Sequence, residues 1–270
     1  EGQVRWRHAV KAEASVTKGE AAAVLLWDLV KCYECLSHQR LFDEAKELEF
    51  PMAILRLNLA GYAFPRFVTL GGMVADPTTP LRGVVAGCGA ATTLVKLYYF
   101  RPFKDFMPRH PKIDMDAFIG DMQLAGQGKA ESLVTNMIEA ALDLSQVIEQ
   151  TLGSQISLPK AALVSSSSEV SRRVRSALKD KAGLEVHISK NLGIDCSAGR
   201  ARPHHASKAT RHKRCRSILP RVSRLKRLQK AGARTTGKIF NTGFKPQATF
   251  GCEVHGLPNG ELHKLQSATV

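Results

Sequence analysis

The chain has 270 residues, 44% of them hydrophobic and 23% charged, so it can bury a sizeable core in one large or two modest domains. Its longest apolar runs are too short to span a bilayer, and its six scattered cysteines favour reduced thiols over a disulfide framework. The formal net charge of +15 favours a polyanionic partner. The first residues, EGQVRWRHAV, contain neither an initiator Met nor a signal-peptide core, so we expect a fragment of a longer intracellular protein, nuclear or cytoplasmic.

The first notable feature in chain order is an aspartate at the end of an apolar run. Val24 to Trp27 has the length and composition of a strand covered on both faces, and Asp28 follows it directly. A carboxylate at that position requires a cation, either a metal ion or an ion-pair partner, unless it caps a helix. Ser37 is a candidate N-cap for a helix that Pro51 stops.

A hairpin, a glycine-rich turn and a second acidic strand end come next. Gly71-Gly72 lies between two short β-like runs, and the glycine-rich stretch 81–90 leads into a helix over 91–100, followed by a loop over 101–112. The run 113–119 predicts a strand that ends at Gly120-Asp121. A long amphipathic helix over 130–152 precedes an extended segment that contains Lys160.

The C-terminal part carries the whole excess of positive charge. Between Cys196 and Cys252 there are 15 Lys and Arg residues and no Asp or Glu, so the rest of the chain keeps 24 of the 39 basic residues against all 24 acidic ones. A block of one sign favours nucleic acid over an anionic membrane, because the segment lacks a strong apolar face with aromatic residues. A helix over 221–230 is predicted to bury Val222, Leu225 and Leu228.

The order of these motifs resembles the reverse transcriptases of LINE-type (non-LTR) retrotransposons. WDLVKCYECLSHQRL resembles their motif A, and RGVVAGCGAATTL resembles motif B with Ala86 where Gln is usual. DAFIGDMQLAG, LPKAALVSS and NLGID resemble motifs C, D and E in the same order. The resemblance runs from about Val24 to Ile194, and the template-binding fingers motifs that precede motif A are absent from the sequence.

The resemblance implies an α+β fold, a polymerase-type palm with a small antiparallel sheet backed by helices, followed by a basic, mainly helical thumb-like segment. The implied domains are a fingers or N-terminal helical remnant over 1–23, a palm over 24–195 and the thumb-like segment over 196–270. We expect the sheet strands near Leu26, Phe67, Met73, Phe118 and Gln123, with helices at 38–49, 90–100 and 130–152 behind them.

The resemblance also implies a role for particular residues. Asp28 and Asp121 would hold two Mg²⁺ ions for nucleotidyl transfer to a primer 3′ end, with Lys160 near the leaving pyrophosphate. Deoxynucleoside triphosphates would meet Leu29, Tyr33 and Gly87, and the primer grip would be Leu192 and Gly193. An RNA template with a DNA primer, or an RNA–DNA duplex, would contact the cations of the basic segment, among them Arg211, Lys213, Arg214, Arg221, Arg224 and Arg227.

Motif C departs from the family at its metal-binding position. The family has two adjacent aspartates, and here the first position is Gly120 and the second Asp121. We therefore expect impaired catalysis, and two hypotheses remain: an RNA-directed DNA polymerase, or a non-catalytic RNA or RNA–DNA binding remnant of the same fold. An unrelated basic interaction module is a third class, which would need motifs A and B to coincide by chance.

Two cysteine-containing sets are alternative metal sites. Cys32 and Cys35 have zinc-like spacing but no second pair nearby. The basic segment contains a set whose spacings match no common zinc finger, and a solvated basic arm is the simpler interpretation: Cys196, His204, His205, His212 and Cys215.

Overall fold

The computed structural model describes residues 2–199, 210–232 and 235–267. Within these ranges the following side chains also lie outside the described part: Asn191, Arg211, His212, Cys215, Leu219 and His255. The strands are β1 Ala21–Asp28, β2 Thr69–Leu70, β3 Met73–Val74, β4 Ile113–Phe118, β5 Asp121–Gly128, β6 Ala162–Ser165, β7 Leu184–Glu185, β8 Ser189–Asn191 and β9 Ile194–Cys196. The helices before β7 are α1 Gly2–Thr17, α2 His38–Glu47, α3 Met52–Tyr62, α4 Ala91–Phe106, α5 Ala130–Gln146 and α6 Ser168–Leu178. After β9 come α7 Thr210–Lys230, α8 Thr236–Ile239, α9 Lys245–Thr249, α10 Cys252–His255 and α11 Asn259–Gln266.

The main sheet has five strands in the order β4-β5-β1-β6-β7. Only Ile119 and Gly120 separate β4 from β5, so these two neighbouring strands form a hairpin whose turn lies at residue 120. At the other side, β6 and β7 pair in parallel, with Ala162 opposite Leu184. The predicted α+β class is confirmed, although the sheet is not wholly antiparallel.

The strands near Phe67 and Met73 were wrongly predicted to belong to this sheet. They form a separate antiparallel ladder, β2–β3, closed by Gly71 and Gly72, as the Gly-Gly turn predicted. Both glycines have positive φ, 57° and 84°, which fits the two-residue turn that twists with its strands. Phe67 and Met73 are 59% and 72% exposed, so this ladder has no buried face with which to join the main sheet.

The chain forms two compact units, and β1 and β5 run through both. The site unit comprises Leu26–Leu124 and Asn136–Ala161; the basic unit comprises Glu1–Leu25, Ala125–Thr135 and Ala162–Val270. The predicted domain limits after residues 23 and 195 stay a prediction. Among the described residues, no helix is long and apolar enough to cross a membrane.

In the site unit, α4 continues past the end that the sequence predicted. Pro102 and the residues around it were expected in a loop, but the helix extends to Phe106. Phe103 and Phe106 are 9% and 0% exposed, and burying two aromatic rings outweighs the backbone hydrogen bond that proline cannot donate. The α2 helix begins as predicted, because the Ser37 side chain accepts a hydrogen bond from the Arg40 amide.

In the basic unit, α7 spans 210–230 rather than the predicted 221–230. Val222 and Leu225 are buried as expected, in a cluster with Ile218 and Phe240. The prediction for Leu228 was wrong, since 51% of this residue is exposed. Leu228 lies in the last turn of the helix, beyond the residues that form the cluster.

Candidate functional site

Asp28 is held at the end of β1 by backbone hydrogen bonds on both sides. Its carbonyl oxygen accepts from the Ser157 amide at 2.7 Å, and the Val30 amide donates to the Gln155 carbonyl at 2.9 Å. On the other side, the Leu29 amide donates to the Gly120 carbonyl at 2.9 Å. The 120–121 turn therefore lies beside Asp28, as the expectation that Asp28 and Asp121 share metal ions requires. Because the Leu29 N–H is engaged, it is not free to bind a phosphate.

The cation beside Asp28 is Lys160. It ends a short 3-10 turn, Leu158–Lys160, and its Nζ donates to Asp28 Oδ2. The hydrogen bond and charge of Asp28 raise the pKa of Lys160 above its usual value, and the charge of Asp121 adds to this effect. The Asp28 side chain is 22% exposed, so the pair meets the need for a counter-charge at the end of a buried strand. Asp121, half-buried at the start of β5, belongs to the same electrostatic neighbourhood.

The backbone of Gly120 directs any side chain at that position toward Asp28. A Cβ placed on Gly120 would lie 3.4 Å from Asp28 Oδ1, 3.1 Å from Cys32 Cβ and 3.7 Å from Cys32 Sγ. The positive φ of this turn, 58°, falls on Ile119 and not on Gly120. Residue 120 is therefore a turn position that faces the Asp28 carboxylate, and glycine there supplies no oxygen.

A buried chain of polar groups lies behind Gly120. Cys32 Sγ lies 3.5 Å from Tyr99 Oη, which lies 3.4 Å from Ser154 Oγ. Burial raises the pKa of Cys32 to about 11 and also raises the pKa of Tyr99. Both groups are therefore protonated at neutral pH and position the turn rather than react. Sequence reasoning missed this role of Cys32, because no spacing rule connects it to residues 99, 120 and 154.

The glycine-rich stretch contacts the segment after Asp28. The Val84 amide donates to the Tyr33 carbonyl at 2.9 Å, and the Gly83 amide donates to the Leu36 carbonyl at 2.7 Å. A Cβ on Gly83 would lie 3.2 Å from the Glu34 backbone, and its φ is +90°, so both space and conformation require glycine. Gly87, the predicted nucleotide contact, is exposed with φ +88° and has nothing within 4 Å of a Cβ position.

In the basic unit, Arg214 fixes the predicted primer-grip turn. The turn joins β8 to β9 through Leu192 and Gly193, whose φ angles are 47° and 82°. Arg214 Nη1 donates to the Gly193 carbonyl at 2.9 Å, and its guanidinium lies 4.9 Å from the centroid of the Phe250 ring. A Cβ on Gly193 would meet Arg214 Nη2 at 2.9 Å and Phe250 at 3.1 Å. The guanidinium of Arg214 thus orders the turn, and its predicted contact with nucleic acid stays a prediction.

Four further predicted cations of α7 are exposed. Arg221, Arg224 and Arg227 follow one another at three-residue intervals, and Lys213 is exposed as well. Arg221 makes a long hydrogen bond of 3.4 Å to the Gln247 side chain. The predicted contact Arg211 lies outside the described side chains.

No metal cluster is present among the described residues, where no group of three or more His, Cys, Asp or Glu side chains could hold an ion. Cys35 Sγ lies 3.4 Å from the Val30 carbonyl, and both Cys32 and Cys35 are free thiols. Of the other zinc candidates, His204 and His205 lie outside the described residues, as do the side chains of His212 and Cys215. Beside Asp28, position 120 carries no side chain that could act as a metal ligand.

No protein-family model and no curated protein matches the chain. Among solved structures, the chain is similar to telomerase from Candida albicans in complex with a TWJ fragment of telomeric RNA, with 12% identity and a TM-score of 0.53 over 98% of this chain and 51% of that chain. It is also similar to the corresponding telomerase complex from Candida tropicalis, with 12% identity and a TM-score of 0.50 over 99% of this chain and 49% of that chain. Telomerase is a reverse-transcriptase-related polymerase, so the chain has a polymerase-like fold of this kind and spans about half the length of these neighbours.

Proposed function

We propose that the chain is the palm and thumb part of a reverse transcriptase of LINE-type retrotransposon descent, which binds an RNA template with its primer but is impaired in nucleotidyl transfer. One observation carries the proposal: the backbone of residue 120 faces the Asp28 carboxylate, where the family pattern requires a carboxylate and this chain has glycine. The polymerase-like fold and the order of the five motifs support the descent.

In this proposal Asp28 and Asp121 are the residues that would hold Mg²⁺, which supplies charge neutralisation for phosphoryl chemistry. With one carboxylate missing, the affinity for the ions falls. A loss of several kcal/mol in transition-state stabilisation slows the reaction about a thousandfold or more. Lys160 would then remain paired with Asp28 as its counter-charge. Tyr33 would be the residue that crowds a ribose 2′-hydroxyl.

The proposed template and primer binding rests on the basic unit. The exposed arginines of α7 lie in a stretch without acidic residues, so phosphate contacts meet no competing carboxylate from the same segment. The telomerase neighbours were solved in complex with RNA, and this supports the same class of partner here.

Binding is tested with the full chain and a fluorescent RNA–DNA duplex, by anisotropy over a range of salt concentrations. If about six cations contact phosphate, log K falls against log salt with a slope near −5. Replacing Arg221, Arg224 and Arg227 together by Gln reduces that slope by about 3. A matched control replaces Arg56, Lys112 and Arg172, which are exposed elsewhere, by Gln. A slope near zero, or equal effects of the two triple variants, would contradict the proposal.

Catalytic impairment is tested by primer extension on an RNA template with Mg²⁺. The unmodified chain is expected to extend the primer barely above background, whereas binding of the same duplex remains measurable. Robust extension would favour the second candidate, an active RNA-directed DNA polymerase in which Asp121 suffices as the turn ligand. Loss of both binding and extension would contradict both candidates.

A further inference from the structure

An apolar cavity of about 450 Å³ opens in the site unit, on the side of α4 that faces β4. One wall is a row of side chains from α4 and the turn that follows it, among them Tyr99, Phe103 and Met107. The Tyr99 and Phe103 rings are stacked, with centroids 5.4 Å apart and 14° between their planes. The opposite wall is formed by Ala117 and Ile119.

The cavity opens beside two lysines. Lys96, Phe100 and Lys104 are spaced four residues apart and therefore follow one face of α4. All three are exposed, and Lys104 Nζ lies 6.0 Å from the centroid of the Phe100 ring. None of the lining residues, all of which belong to the described part of the chain, is acidic. Strand alternation also places Asp116 on the face of β4 opposite to Ala117.

We propose that this cavity binds a small amphiphilic anion, with an alkyl body against the aromatic wall and a carboxylate head at Lys96 and Lys104. The volume lies in the range of small-ligand sites. The apolar wall favours a hydrocarbon body, because burying apolar surface is the main source of affinity there. The two cations at the mouth select a negatively charged head over a neutral one.

Two other classes of ligand fit less well. A nucleobase needs polar partners inside a pocket, and the one interior hydroxyl, that of Tyr99, already bonds Cys32 and Ser154. An amphipathic helix of a partner protein needs a groove that accepts anchors over two or more turns. The α4 wall runs from Val95 to Met107, but the facing wall consists of Ala117 and Ile119 alone, which are two residues apart and too short to line such a groove.

The location connects the ligand to the proposed catalytic turn. Ile119 forms part of the wall, has a φ of 58° and immediately precedes Gly120. A β-branched residue rarely adopts this conformation, so it persists because its surroundings hold it. A bound alkyl chain therefore packs against the residue that sets the direction of position 120. None of the residues that line the cavity is among the cations proposed to bind the duplex, so its test does not depend on that proposal.

The test measures binding of decanoate and decan-1-ol to the full chain by calorimetry below micelle-forming concentration. We expect saturable binding of one decanoate per chain, with decan-1-ol about fivefold weaker, as two exposed charge contacts allow. Ala117→Trp fills the cavity from an exposed wall position and should abolish binding of both. Replacing Lys96 and Lys104 by Gln should lower only the decanoate affinity, to that of the alcohol.

The control replaces Lys46 and Lys112, which lie outside the cavity, by Gln, and should leave both affinities unchanged. Because the tryptophan variant could misfold, its thermal unfolding is measured alongside, and the lysine pair provides the independent test. The proposal is overturned by non-saturable decanoate uptake, by equal binding of acid and alcohol, or by unchanged binding in a folded Ala117→Trp variant. Tighter binding of an acidic amphipathic helical peptide, lost on Ala117→Trp, would assign the cavity to a protein partner instead.

Discussion

Gly120→Asp is the substitution that tests the candidate site most directly. A Cβ at this position lies 3.4 Å from Asp28 Oδ1, so the new carboxylate is placed beside the existing one. The backbone does not oppose it, since the positive φ of the turn falls on Ile119. The steric cost comes from Cys32, whose Cβ lies 3.1 Å away and must move by a few tenths of an ångström.

Without metal, the variant should be less stable than the unmodified chain. Two carboxylates about 4 Å apart repel by about 4 kcal/mol at an effective dielectric constant of about 20, and partial exposure reduces this to roughly 1–2 kcal/mol. For a chain of this size, the melting temperature falls by about 2–4 °C per kcal/mol, so a decrease of roughly 2–8 °C is expected in a chelating buffer.

Divalent metal should reverse this decrease. An ion at a hundredfold excess over its dissociation constant stabilises the folded state by about 2.7 kcal/mol, so Mg²⁺ or Mn²⁺ restores the melting temperature of Gly120→Asp to that of the unmodified chain or above it. Primer extension by Gly120→Asp should rise above that of the unmodified chain. In the unmodified chain, Mn²⁺ in place of Mg²⁺ should restore part of the extension, because Mn²⁺ is less strict in its coordination geometry.

Gly120→Asn is the matched control, because it has nearly the same shape without the charge. It should show the steric cost alone and no dependence on metal. If the Asp and Asn variants melt alike with and without metal, the argument that residue 120 faces Asp28 is refuted. If the Asp variant binds metal and duplex but does not extend a primer in a chain supplied with a fingers region, the decay reaches beyond motif C.

Three further predictions concern single side chains. In Asp28→Asn the pKa of Lys160, measured by NMR, should fall toward its ordinary value of 10.5. In the unmodified chain, the raised pKa of Lys160 means that its contribution to stability is complete below pH 10.5 and is lost as the pH rises through the higher pKa of the folded state. Arg214→Lys keeps the charge but loses the planar stack and the fixed bond to Gly193, so unfolding should cost about 2 kcal/mol less; an unchanged melting temperature would contradict this. With its pKa near 11, Cys32 should resist alkylation at about pH 8 in mass spectrometry until the chain is denatured.

Local patterns in the sequence determined several features that the structure confirms. The N-cap at Ser37 follows from a polar residue before a helical period, whereas the α+β class was implied by the family resemblance of the motifs. The Gly71-Gly72 turn and the approach of Gly120 to Asp28 were also predicted. The cap and the turn depend on residues that are close in sequence. The fold class and the approach of Gly120 to Asp28 depend on a motif order in which the two strand ends must lie side by side.

Tertiary packing decided the rest, because it brings together residues that no local pattern connects. The extension of α4 through Pro102 depends on space for Phe103 and Phe106 in the core. The exposure of Leu228 depends on where the cluster beneath α7 ends. At the site, the folded backbone of Gly120 directs a Cβ toward both Cys32 and Asp28, which no sequence spacing predicts. Sequence spacing could show that glycine stands where the family pattern has a carboxylate, whereas only the folded backbone shows what a side chain there must displace.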